Sequence, residues 1–113
     1  MIIRRGDIYW AKLPEQKGSN LIQKTRPVIV VSNDTANRFS PIVCIVPITR
    51  QCKKILPTHV RISGFGLLDT STALTEQVMS VDKTILYNKI GTLVDTDEMQ
   101  KIAQCLCIQL GVA

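Results

Sequence analysis

The chain has 113 residues, of which 45% are hydrophobic and 20% are charged, and its formal net charge is +5. This length and composition fit one folded domain spanning residues 1–113, with one hydrophobic core, and they exclude a disordered chain. No window holds the roughly 18 consecutive apolar residues of a membrane-spanning helix, and the first residues lack the apolar stretch of a secretory signal, so we expect a soluble cytoplasmic protein.

Short strands followed by one helix are the predicted elements. Alternating or continuous runs of strand-forming residues predict the strands. In chain order they cover 6–13, 26–32, 41–49, 58–63, 72–81 and the end of 82–94. Between them the sequence predicts a long polar loop over 14–25, a turn or single helical turn over 33–40 capped by Asn33 or Asp34, and a basic loop over 50–57.

The C-terminal segment 95–111 has apolar residues at helical spacing. The residues that would share one face are Met99, Ile102, Ala103, Leu106 and Leu110. Asp95 followed by Glu98 predicts a capping box, and Gly111 predicts the helix end. Strands followed by one helix predict a mostly β fold, in which about six or seven short, mainly antiparallel strands form a curved sheet or partly open barrel covered by the helix.

Several enzyme classes are excluded by the residues that could carry chemistry. The only histidine is His59, and the chain has neither the G-x-S-x-G elbow of a serine hydrolase nor a phosphate-binding P-loop. The carboxylates do not cluster as a two-metal nuclease requires. We therefore expect no metal and no cofactor. The cysteines lack the spacing of a zinc site and are interpreted as reduced thiols; they are Cys44, Cys52, Cys105 and Cys107.

The charge is unevenly distributed along the chain. Residues 1–61 hold 11 of the 14 basic residues but 3 of the 9 acidic ones. Such a basic half suits a polyanion such as nucleic acid, although ordinary surface charge would give the same pattern. The five aromatic residues are too few for a broad stacking platform for single strands.

Two residues at junctions between a strand and a polar loop are candidates for chemistry. Arg26 offers a planar fork of donors that matches a phosphate, and the Thr49 hydroxyl can add one more donor. Together they could stabilise charge on a phosphate oxygen. RNA carries its own nucleophile, the 2′-hydroxyl, which a protein needs only to align. The residues alone leave open that Arg26 is a strand-edge surface charge and Thr49 an ordinary strand end.

A set of short motifs follows in order: "RRGDIYWAKL", "TRPVIVVSND", "NRFSPIVCIVPIT", "LPTHV" and "TEQVMSVDK". Over residues 4 to about 110 the chain resembles the MazF/PemK (Kid) family of bacterial toxin endoribonucleases. The resemblance implies a small SH3-like or CcdB-like barrel, a homodimer and a cognate antitoxin protein. It also implies metal-independent, sequence-specific cleavage of single-stranded RNA (mRNA) to 2′,3′-cyclic phosphate and 5′-hydroxyl ends.

By this resemblance the family's catalytic arginine falls on Arg26 and its catalytic threonine on Thr49. We expect Arg26 to stabilise the phosphorane, because a neutral arginine is costly, and the general base stays open. The residues expected to contact RNA are Ser19, Asn33, Arg50, Gln51, Lys53, Lys54, Glu76 and Gln77. Gln51 and Gln77 could read base edges, whereas the cations would bind phosphates.

Two residues and one loop raise further questions. His59 could act as an acid or base, but a structural role is favoured, and Glu76 is expected to be an ion-pair partner of Arg26 rather than a proton acceptor.

The first loop departs from the family. Many members read G-S-E-Q-x-G-x-R-P where this chain reads "GSNLIQKTRP", which is one residue longer, has Asn20 in place of the glutamate and lacks the glycine before the arginine.

Two other functions stay open at the level of sequence. A CcdB-like toxin that binds DNA gyrase without catalysis would share the barrel, because a fold does not determine a function. A weakened RNA-binding module would fit the altered first loop.

Overall fold

The structure is a computed structural model, and it describes residues 1–52 and 54–112. Within these residues lie seven strands and two α-helices, joined in part by two single-turn 3₁₀ helices. The strands are β1 (Asp7–Leu13), β2 (Lys24–Val30), β3 (Ile42–Thr49), β4 (His59–Ile62), β5 (Ser71–Leu74), β6 (Met79–Asp82) and β7 (Leu86–Thr92). The helices are α1 (Asp34–Phe39) and α2 (Asp97–Leu110), and the 3₁₀ helices are Thr75–Gln77 and Lys83–Ile85.

All the strand pairs are antiparallel, in the order β4-β5-β3-β2-β1-β7, and β6 pairs with β3 beside this path. The structure therefore confirms a mostly β fold with a C-terminal helix. Closure of the sheet into a barrel stays a prediction. No helix in the described part of the chain is both long enough and apolar enough to cross a membrane.

Both faces of the sheet are buried, each against its own apolar cluster. Successive residues of a strand point to opposite faces, so β1 sends Ile8 to one cluster and Tyr9 to the other. Helix α2 covers the Ile8 side with Met99 and Ile102. Because both faces need apolar residues, residues 28–30 of β2 and nearly all of β3 are apolar, and each fully buried side chain contributes about 1.5–3 kcal/mol.

The prediction of one strand over 72–81 is wrong, because this segment forms two strands, β5 and β6, separated by the 3₁₀ helix Thr75–Gln77. Both strands pair with β3: Ile48 lies opposite Ala73, and Ile45 lies opposite Met79. The pairing of β6 with β3 is shifted by three residues from the pairing of β5 with β3, and the three residues of the 3₁₀ helix account for this shift. Strand β7 also begins at Leu86, earlier than the predicted final strand around 90–94.

The N-terminus of helix α2 also differs from its prediction. Thr96 is the N-cap, and its Oγ1 accepts a hydrogen bond of 3.2 Å from the Met99 N–H, so Asp95 and Glu98 do not form the predicted capping box. Asp95 precedes the cap with φ of 61°. Gly111 ends the helix in the left-handed conformation, as predicted. Leu110, however, is exposed, so this end of the predicted apolar face is not buried.

Replacing Thr96 with alanine is expected to lower the free energy of unfolding by about 1 kcal/mol, because the Met99 N–H loses its acceptor. Asp95→Gly is the control, and it should preserve stability since glycine adopts a positive φ without strain. Urea unfolding of the two variants measures the difference. Equal losses in both would favour Asp95 as the cap instead.

Candidate active site

A gap opens in the sheet where the pairing of β3 with β2 ends. Val28 lies opposite Pro47 in the β2–β3 register, and beyond this pair β3 is paired with β5, on its other edge, at Ile48 and Thr49. Meanwhile β2 stays with β1, where Arg26 lies opposite Ala11. Pro47 has no N–H with which to extend the ladder, which favours the separation at this point. Residues of β2 before Val28 and of β3 after Pro47 therefore border an opening.

A cavity of about 500 Å³ occupies this opening. Its walls come from the separating ends of β2 and β3, from β1, from β7 and from the turn before β5. The residues that line it are Trp10, Thr25, Arg26, Pro27, Ile48, Thr49, Arg50, Gly66, Leu67, Leu68, Asp69, Ser71, Asn88, Lys89 and Ile90. The structure thus brings Arg26, Thr49 and Arg50 to one cavity, although they are separated in sequence.

Arg26 is exposed and is held at one end of its guanidinium. Its Nε donates a hydrogen bond of 3.2 Å to the backbone carbonyl of Gln23. Within residues 1–52 and 54–112, its two terminal Nη groups have no hydrogen-bond partner. Arg26 therefore presents two parallel donor groups, the arrangement that matches two oxygens of a phosphate.

Thr49 is buried, and its hydroxyl is oriented by the chain that follows it. The Gln51 N–H donates a hydrogen bond of 3.2 Å to Thr49 Oγ1. Because this bond uses the oxygen as an acceptor, the hydroxyl hydrogen is available to donate to a ligand. The end of β3 thus supplies one neutral donor beside the cationic donors of Arg26.

Arg50 follows Thr49 and pairs with Asp69 across the cavity mouth, with 3.1 Å between Nη1 and Oδ2. Both side chains are more than half exposed, at 66% and 58%. An exposed pair of this kind contributes little to stability because water screens it. A phosphate can therefore replace Asp69 as the partner of Arg50 at small cost.

Two glycines allow the turn before β5 to pack closely against β7 and form a cavity wall. A Cβ at Gly66 would overlap the Ile90 carbonyl oxygen, and a Cβ at Gly91 would overlap the Phe65 carbonyl oxygen. Only glycine accommodates backbone contact this close. The wall carrying Asp69 thus depends on two residues that have no side chain.

Glu76 does not pair with Arg26, which corrects the expected ion pair. Its Oε2 lies 2.7 Å from His59 Nε2, and His59 is buried. His59 Nδ1 accepts a hydrogen bond of 3.0 Å from the Leu56 N–H, so the ring proton lies on Nε2 and is donated to Glu76. The pair connects β4 to the 3₁₀ helix after β5, and His59 also binds the backbone of the loop that precedes β4. Both residues thus have structural contacts outside the cavity.

The side chains of three other residues expected to bind RNA accept hydrogen bonds from backbone N–H groups. Gln77 Oε1 accepts a hydrogen bond of 2.7 Å from the Ile22 N–H, Asn33 Oδ1 accepts one of 2.9 Å from Ala36 and caps helix α1, and Ser19 Oγ accepts one of 3.1 Å from Leu21. These three residues do not line the cavity. Arg26 lies near the N-terminal end of β2, whereas Asn33 follows its C-terminal end, so the length of the strand separates the two residues.

The remaining residues expected to bind RNA belong to the basic loop. Gln51 and Lys54 are exposed, and Gln51 contacts Thr49 through its backbone N–H. Lys53 lies outside the described residues. The loop thus begins at the cavity through Arg50.

Sequence reasoning missed Trp10, Asp69, Asn88 and Lys89 as cavity residues. Trp10 is the only tryptophan and is 36% exposed, and an exposed aromatic residue in an alternating strand was the signal that could have identified it. Asn88 and Lys89 were missed because the start of β7 was predicted too late. Lys89 is also held in place, since its Nζ lies 3.4 Å from Oδ1 of the fully buried Asp7.

The loop before Arg26 contains a non-glycine residue in a glycine-like conformation. Lys24 has φ of 68°, which costs a residue with a Cβ about 1–2 kcal/mol. In the pattern G-x-R-P, the position two residues before the arginine is a glycine, and Lys24 holds that position here. The backbone conformation suited to glycine is therefore present without the glycine.

Comparison with known proteins identifies the family. The model for the PemK-like, MazF-like toxin of type II toxin–antitoxin systems matches residues 4–110. The chain belongs to this family of toxins. It is 42% identical to Endoribonuclease EndoA of Bacillus subtilis over 115 aligned residues, covering 99% of this chain and 97% of that protein. This homology confirms the enzyme class, endoribonuclease, that the sequence motifs imply.

Solved structures show the same fold. MazF from Deinococcus radiodurans superposes with a TM-score of 0.84 at 18% identity, covering 98% of each chain. An endoribonuclease from Mycobacterial species, in complex with its cognate antitoxin, superposes with a TM-score of 0.75 at 24% identity over 99% of this chain and 96% of that one. At these identities the superpositions establish the fold alone.

Lys24→Gly is expected to raise the free energy of unfolding by about 0.5–1 kcal/mol. Removing the Cβ relieves the left-handed conformation, and the greater freedom of glycine in the unfolded chain offsets part of that gain. Thr25→Gly at the neighbouring strand position is the control and should lower stability. Denaturant unfolding of both variants tests this, and losses of similar size in the two would contradict it.

Proposed function

We propose that this type II toxin endoribonuclease cleaves single-stranded RNA at short sequence motifs without a metal ion, leaving 2′,3′-cyclic phosphate and 5′-hydroxyl ends. The observation that supports the proposal is that Arg26 and Thr49, each with a donor available for a ligand, line the same cavity. Three cationic side chains, Arg26, Arg50 and Lys89, line this cavity with one carboxylate, Asp69, among the described residues, which suits a phosphate better than a divalent cation.

In the proposed reaction the ribose 2′-oxygen attacks the adjacent phosphorus. The 2′-hydroxyl gives up its proton to a base that the proposal leaves open, a bond from the 2′-oxygen to phosphorus forms, the bond from phosphorus to the 5′-oxygen breaks, and the departing 5′-oxygen gains a proton. Negative charge builds on the non-bridging oxygens as the phosphorane forms. The two Nη groups of Arg26 would donate to these oxygens, and Thr49 Oγ1 would add a third donor.

Around this centre, Arg50 and the basic loop would hold neighbouring phosphates, since Arg50 can exchange its exposed partner Asp69 for RNA. Trp10 offers an aromatic surface in the same cavity, on which a base could stack. The proposal assigns no RNA contact to Glu76, Gln77 or Asn33, because each side chain already makes a structural hydrogen bond.

We also propose the partners that the family implies. One solved relative is in complex with its cognate antitoxin, and a MazE–MazF structure from Deinococcus radiodurans has the same fold as this chain. The basic N-terminal half would suit an acidic antitoxin that orders on binding. We further propose that the protein acts in the cytoplasm as a homodimer and that each chain forms one toxin domain.

The catalytic assignment predicts that Arg26→Ala and Thr49→Val each lower the cleavage rate by at least about 100-fold, because each removes a donor to the phosphorane. Thr49→Ser keeps the hydroxyl and should remain active. Arg38→Ala removes an exposed arginine outside the cavity and is the control. The assay is RNA cleavage in chelator with mapping of 5′-hydroxyl ends. Cleavage that needs magnesium, or gyrase inhibition without cleavage, would refute the proposal.

Trp10→Ala is expected to weaken RNA binding by about 1–3 kcal/mol, the contribution of one stacked base. Trp10→Phe should retain most of the affinity, because it keeps an aromatic face. Phe39→Ala, which removes an exposed aromatic residue of α1, is the matched control. Titration with an RNA carrying 2′-deoxyribose at the cleavage site measures the dissociation constants. Unchanged affinity of Trp10→Ala would show that no base stacks there.

A further inference from the structure

The first loop is closed on itself by one glutamine side chain. The Gln16 N–H donates to Gln23 Oε1 at 2.9 Å, and Gln23 Nε2 donates to the Gln16 carbonyl oxygen at 2.7 Å. The Gln23 amide thus satisfies both backbone polar groups of Gln16, as a paired strand residue would. Two reciprocal bonds of this kind fix the distance between the two ends of the loop.

The same loop is attached to the body of the protein one residue earlier. Gln77 Oε1 accepts a hydrogen bond of 2.7 Å from the Ile22 N–H, and the Ile22 side chain packs against the buried cluster that contains Tyr9 and Val28. Residues 22 and 23 are therefore held from three sides: by the start of the loop, by the 3₁₀ helix after β5 and by the core.

This fixed segment also carries the contact to Arg26. The Gln23 backbone carbonyl accepts the hydrogen bond from Arg26 Nε. Nε lies in the plane of the guanidinium, so a carbonyl held in one place restricts that plane and the direction of both Nη groups. A mobile carbonyl would leave the long arginine side chain to sample several rotamers.

We propose that Gln23 is a positioning residue for Arg26: its side chain fixes the loop, and its backbone carbonyl aims the guanidinium at the scissile phosphate. This inference rests on the proposed function, and it assigns a role to a residue within the stretch where the loop departs from the family pattern. Gln77 supports the same segment, which explains why its side chain points to the loop rather than to RNA.

The loop offers a matched pair of variants. Gln23→Ala removes both side-chain bonds, whereas Gln16→Ala leaves them possible because they use only the Gln16 backbone. We expect Gln23→Ala to slow single-turnover cleavage roughly 10- to 100-fold, the effect of a misplaced reacting group. Its affinity for RNA with 2′-deoxyribose at the cleavage site should change far less. Gln16→Ala should cleave at the rate of the wild type.

A second readout separates positioning from general damage. Substrates with a single sulfur at the scissile phosphate, in the Rp or the Sp configuration, report how the two non-bridging oxygens are held. The Rp/Sp rate ratio should move toward one in Gln23→Ala and stay at its wild-type value in Gln16→Ala. A wild-type rate and ratio in Gln23→Ala, or equal changes in both variants, would overturn the proposal.

One measurement does not depend on cleavage. The Nε–H resonance of Arg26, assigned by its disappearance in Arg26→Lys, should exchange with water faster in Gln23→Ala than in the wild type and in Gln16→Ala. If the wild type cleaves no RNA, the proposed function fails, and this exchange rate still decides whether Gln23 holds Arg26. Equal exchange rates in the three proteins would reject the positioning role.

Discussion

The end of the β2–β3 pairing at Pro47 is the constraint on which the site depends. One strand pairs with β6 and β2 along its first part and with β5 at its end. Strand β3 lies between β5 and β2, and its pairing with β2 ends at Pro47 while its other edge stays paired with β5 at Ile48 and Thr49. The cavity occupies the space between the separating strands, so the opening that receives RNA in our proposal is a product of sheet topology.

The polar residues that the sequence offered as candidates for chemistry or RNA binding divide into two groups. Glu76, His59, Gln77 and Asn33 make short bonds to backbone or to each other, and they hold loops and a helix in place. Arg26 and Thr49 are each held by one bond and keep donors available. A buried polar group without a partner is costly, so donors at the open cavity, where water can solvate them, are the ones that can remain available for a ligand.

The sequence predicted the strands of continuous apolar residues, the C-terminal helix and its glycine stop, and the placement of Thr49 at a strand end, because these follow from local periodicity and turn residues. It predicted that the second strand starts at Arg26, whereas β2 starts at Lys24 and Arg26 lies within it, opposite Ala11. It did not predict the break at Thr75–Gln77, which follows from two registers on β3. It misjudged Glu76, because charge alone suggested Arg26 as partner, whereas the three-dimensional neighbour is His59. It missed Trp10 and Asp69, because only the fold brings β1 and the turn before β5 to the same cavity.

The central claim is that the separating ends of β2 and β3 hold one phosphodiester between a guanidinium and a hydroxyl. A crystal structure of the protein with an RNA carrying 2′-deoxyribose at the cleavage site tests it most directly. The account predicts non-bridging oxygens of one phosphate at about 2.7–3.2 Å from Arg26 Nη atoms and at about 2.5–3.0 Å from Thr49 Oγ1. An RNA bound on another surface, or a scissile phosphate contacted by neither side chain, would contradict it.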